Sequence, residues 1–137
     1  MDIRSDAFAF FDACETGQGW AACKQFCTAD ASFSAQADAL SSVDTLQAYT
    51  DWMTGIVAVM PDARYEMLAF GVVEERDAIA AAAIFHATHT EEGGPVPPTG
   101  KSVSSDYCYF IKLKDGKIAH LTKIWNDGHA LRAAGWA

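Results

Sequence analysis

Asp106 stands inside the run Ser104-Ser-Asp-Tyr-Cys-Tyr-Phe110, a carboxylate among aromatic residues. Such a run suits a β-strand, whose side chains alternate between two faces. Ser104, Asp106, Cys108 and Phe110 then share one face, and Ser105, Tyr107 and Tyr109 the other. A carboxylate buried beside aromatic rings is costly unless paired, and burial raises its pKa toward the range useful for general acid/base work. The other reading is an ordinary Asp paired with Lys101, Lys123 or a serine. Asp127, after Trp125 and Asn126 and before Gly128, is either an acid/base at a pocket mouth or the N-cap of a terminal helix.

His86 and His89 lie on the strand that runs into a glycine- and proline-rich turn. Their odd spacing sends them to opposite faces, so they do not chelate one metal together, and no metal site is expected. One faces a pocket and the other the outer surface or a dimer interface. Histidine shuttles protons near neutral pH, although His89 can equally serve to hold the loop. His120 shares a strand face with Thr122, Ile124 and Asn126, opposite Trp125 and Asp127. The candidate acid/base residues are therefore Asp106 and Asp127, with His86 or His120 positioning or shuttling the proton. Trp20, Phe33, Trp52, Met53, Tyr107 and Trp125 are candidate walls for a flat apolar ligand, or ordinary core.

The elements that must position these groups follow from periodicity. Residues 3–15 read as an amphipathic helix with Ala7, Phe8, Phe10, Phe11 and Cys14 as its stripe, ended by Gly17 and Gly19. A second short helix is expected over 19–28, a turn over 28–31 and a strand over 31–37. Ser41 or Ser42 is the expected N-cap of a longer helix that Pro61 ends. From Ala63 the pattern becomes β, with a turn at Glu74–Asp77. Residues 78–90 carry four consecutive alanines, which favour helix, but their position between two turns favours strand, and strand is expected. A strand over 102–113, an Asp-Gly hairpin at Lys114–Lys117, a strand over 118–125 and a short helix over 129–134 complete the chain. Glu91-Glu-Gly-Gly94 is no phosphate cradle, because its carboxylates repel phosphate, and Pro95, Pro97 and Pro98 make it a rigid connection.

The 137 residues suit one domain, with half of them hydrophobic. A net charge of −8 argues against nucleic acid and anionic membrane surfaces as partners. No stretch has the apolar length of a membrane span and no signal peptide is visible, so a cytoplasmic location is expected. Cys14, Cys23, Cys27 and Cys108 contain no Cys-X-X-Cys pair and read as reduced, buried core residues.

Three segments carry a family resemblance: Thr88-His-Thr-Glu-Glu-Gly-Gly-Pro-Val-Pro-Pro-Thr-Gly-Lys101, Asp115-Gly-Lys-Ile118, and Lys123-Ile-Trp-Asn-Asp127 with Leu131 and Gly135-Trp136. With the order of elements, they resemble the SnoaL-like polyketide cyclases of the nuclear-transport-factor-2-like superfamily. The resemblance covers nearly the whole chain. It implies an α+β fold: a cone-shaped α+β barrel in which N-terminal helices pack on a strongly curved, mainly antiparallel sheet around one pocket. It also implies a homodimer through the outer sheet face and aldol closure without a cofactor, using an aspartate on the last strand. Lys123 or Ile124 stands at the equivalent place, so that aspartate is not carried over. The expected function is cofactor-independent acid/base chemistry, cyclase- or isomerase-like, on a small apolar carbonyl compound. The alternatives are a non-catalytic small-ligand-binding protein and a dimeric interaction scaffold.

Overall fold

The computed structural model describes residues 2–137. Helix α1 (Ile3–Glu15) starts where Asp2 accepts a hydrogen bond from Ser5 N. Its buried stripe is Ala7, Phe10, Phe11, Ala13, Cys14 and Glu15, hydrophobic until the last residue. The chain then turns through Gly17, whose φ of 74° suits glycine. A Cβ there would stand 2.7 Å from Val57 Cγ2, so this turn is pressed against the later helix.

The helix expected over 19–28 is shorter. Helix α2 (Trp20–Cys23) passes into a 3-10 turn, and strand β1 (Cys27–Gln36) already starts at Cys27. The turn expected over 28–31 lies inside β1, where the register against the last strand shifts between Cys27 and Ser32. A bulge and a turn carry the same local sequence signal, and cross-strand pairing decides between them.

Neither Ser41 nor Ser42 caps α3 (Leu46–Val59). Residues just before the helix are held extended against β1 by Phe33 N–H donating to Asp44 O and by a Ser32–Thr45 bridge. Thr45 becomes the cap, accepting from Ala48 N at 3.1 Å. Beyond Pro61 come β2 (Arg64–Val73), β3 (Ala78–Thr88), β4 (Ser102–Lys114), β5 (Lys117–Trp125) and α4 (Asp127–Ala134). The alanine-rich segment is a strand, paired along its whole length with β4.

The strands form one open five-stranded sheet in the order β1-β5-β4-β3-β2. The β1–β5 pair is parallel and the other three are antiparallel. This is the expected α+β architecture with a mainly antiparallel sheet. One face carries the buried side chains Ala81 and Ala83 of β3, Val103, Tyr107 and Tyr109 of β4, and Leu121 and Lys123 of β5. Helices α1, α3 and α4 cover that face. Tyr65 on β2 donates to Asp12 at 2.7 Å and ties α1 to the sheet.

Candidate functional site: a lysine in an aromatic box

Lys123 is the only buried cation among the described residues, 5% exposed, between Leu121 and Trp125 on the inner face of β5. Its Nζ lies 4.4 Å from the centre of the Trp125 ring, 5.1 Å from Tyr107, 5.2 Å from Tyr49 and 5.5 Å from Trp52. Ring faces attract a cation and partly replace lost hydration. Trp125 is held in place by its indole N–H, which donates to Ser105 Oγ at 2.8 Å.

A hydrogen-bond chain leads inward from this nitrogen. Nζ donates to Tyr49 Oη at 3.0 Å, Tyr49 and Tyr109 hydroxyls meet at 2.5 Å, and Tyr109 donates to Glu15 Oε2 at 2.5 Å. Because Tyr109 spends its proton on Glu15, Tyr49 must donate to Tyr109, and all three bonds point toward the carboxylate. The chain joins four elements: β5, α3, β4 and α1. Tyr49 also stacks on Phe33, with centroids 4.3 Å apart.

Burial sets the electrostatics. It pushes Lys123 down to about 8, against the opposing pull of the Glu15 charge. It pushes the Glu15 carboxyl up, against the favourable charge of Lys123 and the neighbouring Tyr107 and Tyr109 hydroxyls, of which Tyr109 bonds it directly. Tyr49, Tyr107 and Tyr109 are all driven upward, first by burial and next by Glu15, so their hydroxyls stay protonated. Tyr107 Oη and Glu15 Oε1 are buried without a hydrogen-bond partner, although each biases the other's protonation.

Lys123 forms part of the wall of a narrow, open cleft of about 50 Å³. Trp52, Met53, Tyr107 and Trp125 line it as expected, with Phe85 and Trp136 among the other walls. Trp20 and Phe33 do not; both pack in the core beside it.

The expected acid/base residues lie elsewhere. Asp106 is exposed, on the outer face with Ser104, Phe110 and Cys108, so Cys108, unlike the other three cysteines, is not the core residue expected. Alternation had paired these residues correctly, but that face points away from the helices, so Asp106 stays in water. His86 is on the outer face as well, bonded to Ser104 Oγ at 2.8 Å and facing Glu66 at 3.4 Å. His120 sits there among hydroxyls, with Ser32 Oγ at 2.7 Å and Ser34 Oγ and Thr122 Oγ1 at 3.1 Å. Asp127 is neither cap nor cleft acid. Asn126 caps α4 by accepting from His129 N, and Asp127 Oδ2 accepts from Ala39 N at 2.7 Å.

His89 is the histidine that points inward, and it is fully buried. Its Nδ1 accepts from the Trp136 indole at 2.9 Å and faces Thr99 N at 3.4 Å, while Nε2 lies 3.1 Å from Glu91 O. An indole N–H only donates and a carbonyl only accepts, so the proton sits on Nε2 and the ring has no free lone pair. This histidine clamps the loop to the C-terminus. Among the described residues, no three His, Cys, Asp or Glu side chains are grouped to hold a metal ion.

Lys123 and Glu15 were missed as site residues. Lys123 could have been found from parity, as a cation alternating with Leu121 and Trp125; Glu15 continues the i, i+4 stripe of Ala7 and Phe11.

A sequence model of the SnoaL-like polyketide cyclase family matches residues 5–134. The chain belongs to this family. No protein among the curated sequences matches it. Similar solved structures share its fold. AclR, a proposed hydroxylase from Streptomyces galilaeus, superposes with a TM-score of 0.76 at 20% identity, covering 98% of this chain and 85% of its own. IdmH, a proposed polyketide cyclase from Streptomyces antibioticus, gives 0.74 at 19% identity over 98% and 99%. A proposed SnoaL-like polyketide cyclase from a Jannaschia species gives 0.77 at 14% over 97% and 91%. Of the two residues standing where the family resemblance expects the aspartate, Lys123 faces the cleft and Ile124 is 52% exposed.

Proposed function

We propose that this SnoaL-like protein is a cofactor-independent enzyme of the cyclase or isomerase type. Its substrate is a small apolar carbonyl compound, and Lys123 is the acid/base group. The observation that carries this reading is the Lys123 amine in the cleft wall, held by one hydrogen bond and boxed by aromatic rings. An amine titrating near 8 is partly free at physiological pH, which matches a general base to its task. It would take the proton from the carbon beside a carbonyl and return it after the new bond closes. A titratable group facing the cleft favours catalysis over simple sequestration of a ligand.

The same reading includes a homodimer through the outer sheet face, where Phe110 and Ile124 are exposed. It places the protein in the cytoplasm, where its free cysteines stay reduced.

The test is α-proton exchange in heavy water on apolar aryl aldehydes and ketones, 3-phenylpropanal first, followed by NMR. Exchange should rise with pH through about 8, as the amine loses its proton. Lys123→Met should reduce it by about 100-fold or more, while Asp106→Asn should leave it unchanged. Equal rates in the parent and Lys123→Met would sink the proposal.

A further inference from the structure

We propose that Lys123 is a nucleophilic amine that captures an apolar aldehyde or ketone in the cleft as a covalent imine. This deepens the reading above and rests on it for the cleft and its carbonyl substrate, with Lys123 loosening the α-proton through the imine instead of abstracting it directly. A general base needs only a lone pair, whereas the surroundings of Lys123 supply what amine capture needs as well.

Nζ has a single polar partner, Tyr49 Oη. With one N–H donated there, the free amine can turn its lone pair toward the cleft. The walls around it are apolar and aromatic, so a carbonyl carbon meets it with little competing water. The Tyr49 hydroxyl, 3.0 Å away, can pass protons between nitrogen and oxygen during attack and dehydration. Behind it, Tyr109 and Glu15 form a buried proton store. The rings of Trp125, Tyr107 and Tyr49 that hold the ammonium would hold an iminium equally well.

The step balances without another reactant. The C–N bond forms as the carbonyl π pair moves to oxygen, and nitrogen gives up a proton as oxygen takes one. The nitrogen lone pair then expels that oxygen, which leaves as water with a second proton. Counted from the ammonium, the protonated lysine and the carbonyl compound give one protonated imine and one water, with the positive charge kept on nitrogen. The iminium acidifies the neighbouring C–H, the bond that a cyclase or isomerase must break, and solvent water at the cleft mouth takes that proton because the Lys123 lone pair is in the C=N bond.

The experiment is reductive trapping of 3-phenylpropanal with cyanoborohydride on the full chain, read by intact mass and peptide mapping. Lys24, Lys101, Lys112, Lys114 and Lys117 serve as internal controls. Lys123 should be labelled about tenfold or more faster than these at neutral pH, with its rate rising through a lower pH than theirs. The groups that set this profile are Glu15 and Cys14 on α1, Tyr49 on α3 and Tyr107 and Tyr109 on β4. Lys123→Arg should abolish the adduct. Tyr49→Phe should slow Lys123 labelling about tenfold without slowing the controls. A thermal melt of each variant confirms that the fold is intact. Labelling of the controls but not of Lys123 in the folded parent would overturn the proposal. If α-proton exchange persists without trapping, the amine is a base only; if neither occurs, both readings fail.

Discussion

At the scale of single residues, Glu15 and Lys123 control each other's charge. The Glu15 carboxylate holds Lys123 up at about 8 against burial. Replacing it by the neutral amide should therefore shift the Lys123 titration to lower pH, visible in the pH profile of labelling. Stability has two opposing parts. Glu15 has a raised pKa, so its contribution is full below the ordinary carboxyl range and is lost as pH rises through the folded value. Lys123 has a lowered pKa, so its contribution is full above 10.5 and is lost as pH falls through about 8. Glu15→Gln should flatten the fall in stability that begins near pH 4.5. Urea unfolding across a pH series checks this, and an unchanged pH dependence would contradict the buried charge. The inert behaviour expected of Asp106 is positional, since a carboxylate on the outer face meets nothing held in the cleft.

At the scale of elements, the hydrogen-bond chain from Lys123 to Glu15 takes one residue from each of β5, α3, β4 and α1, and polar bonds tie further segments around it. The loop between β3 and β4 is the clearest case. His89 holds Glu91, Thr99 and Trp136 at once, and Trp136 is a wall of the cleft. Gly94 passes so near that a Cβ there would stand 3.1 Å from His89 Nε2. His89→Ala should cost about 2–4 kcal/mol in urea unfolding, because it leaves buried donors and acceptors unpaired and opens a cavity. The pH midpoint of Lys123 labelling should not move, since the ring does not touch the tyrosine chain. A shift in that midpoint would show that the clamp reaches the site.

At the scale of the whole molecule, the sheet divides the chain's chemistry. The inner face holds the lysine box, and the outer face holds His86, Asp106 and His120 beside an apolar strip. Cys108 pairs with Ile124, and Phe110 with Thr122, in adjacent strands of that face. Phe110 and Ile124 are 42% and 52% exposed. If this strip is the dimer contact, Phe110→Glu should turn a dimer into a monomer in sedimentation, with the melting temperature of the monomer little changed. A parent that is already monomeric at micromolar concentration would refute the contact. Among the described residues, no helix is long and apolar enough to cross a membrane.

The sequence by itself determined the order of elements and which residues share a strand face. It grouped Asp106 with Cys108 and Phe110, and Tyr107 with Tyr109, because alternation is a local property of an extended backbone. It also carried the family, through a loop and turn whose glycines and prolines are local requirements. Only the tertiary structure decided which face of each strand the helices would cover. That choice depends on pairing register and on packing between distant segments, and it reverses the fate of every side chain on the strand. It sent Asp106 and His120 to the outer face and Lys123 inward. It brought Glu15 and Tyr49 to the same lysine from helices far apart in the chain. The lowered pKa of Lys123 arises from that assembly, because its desolvation and the nearness of Glu15 come about only once the four elements meet.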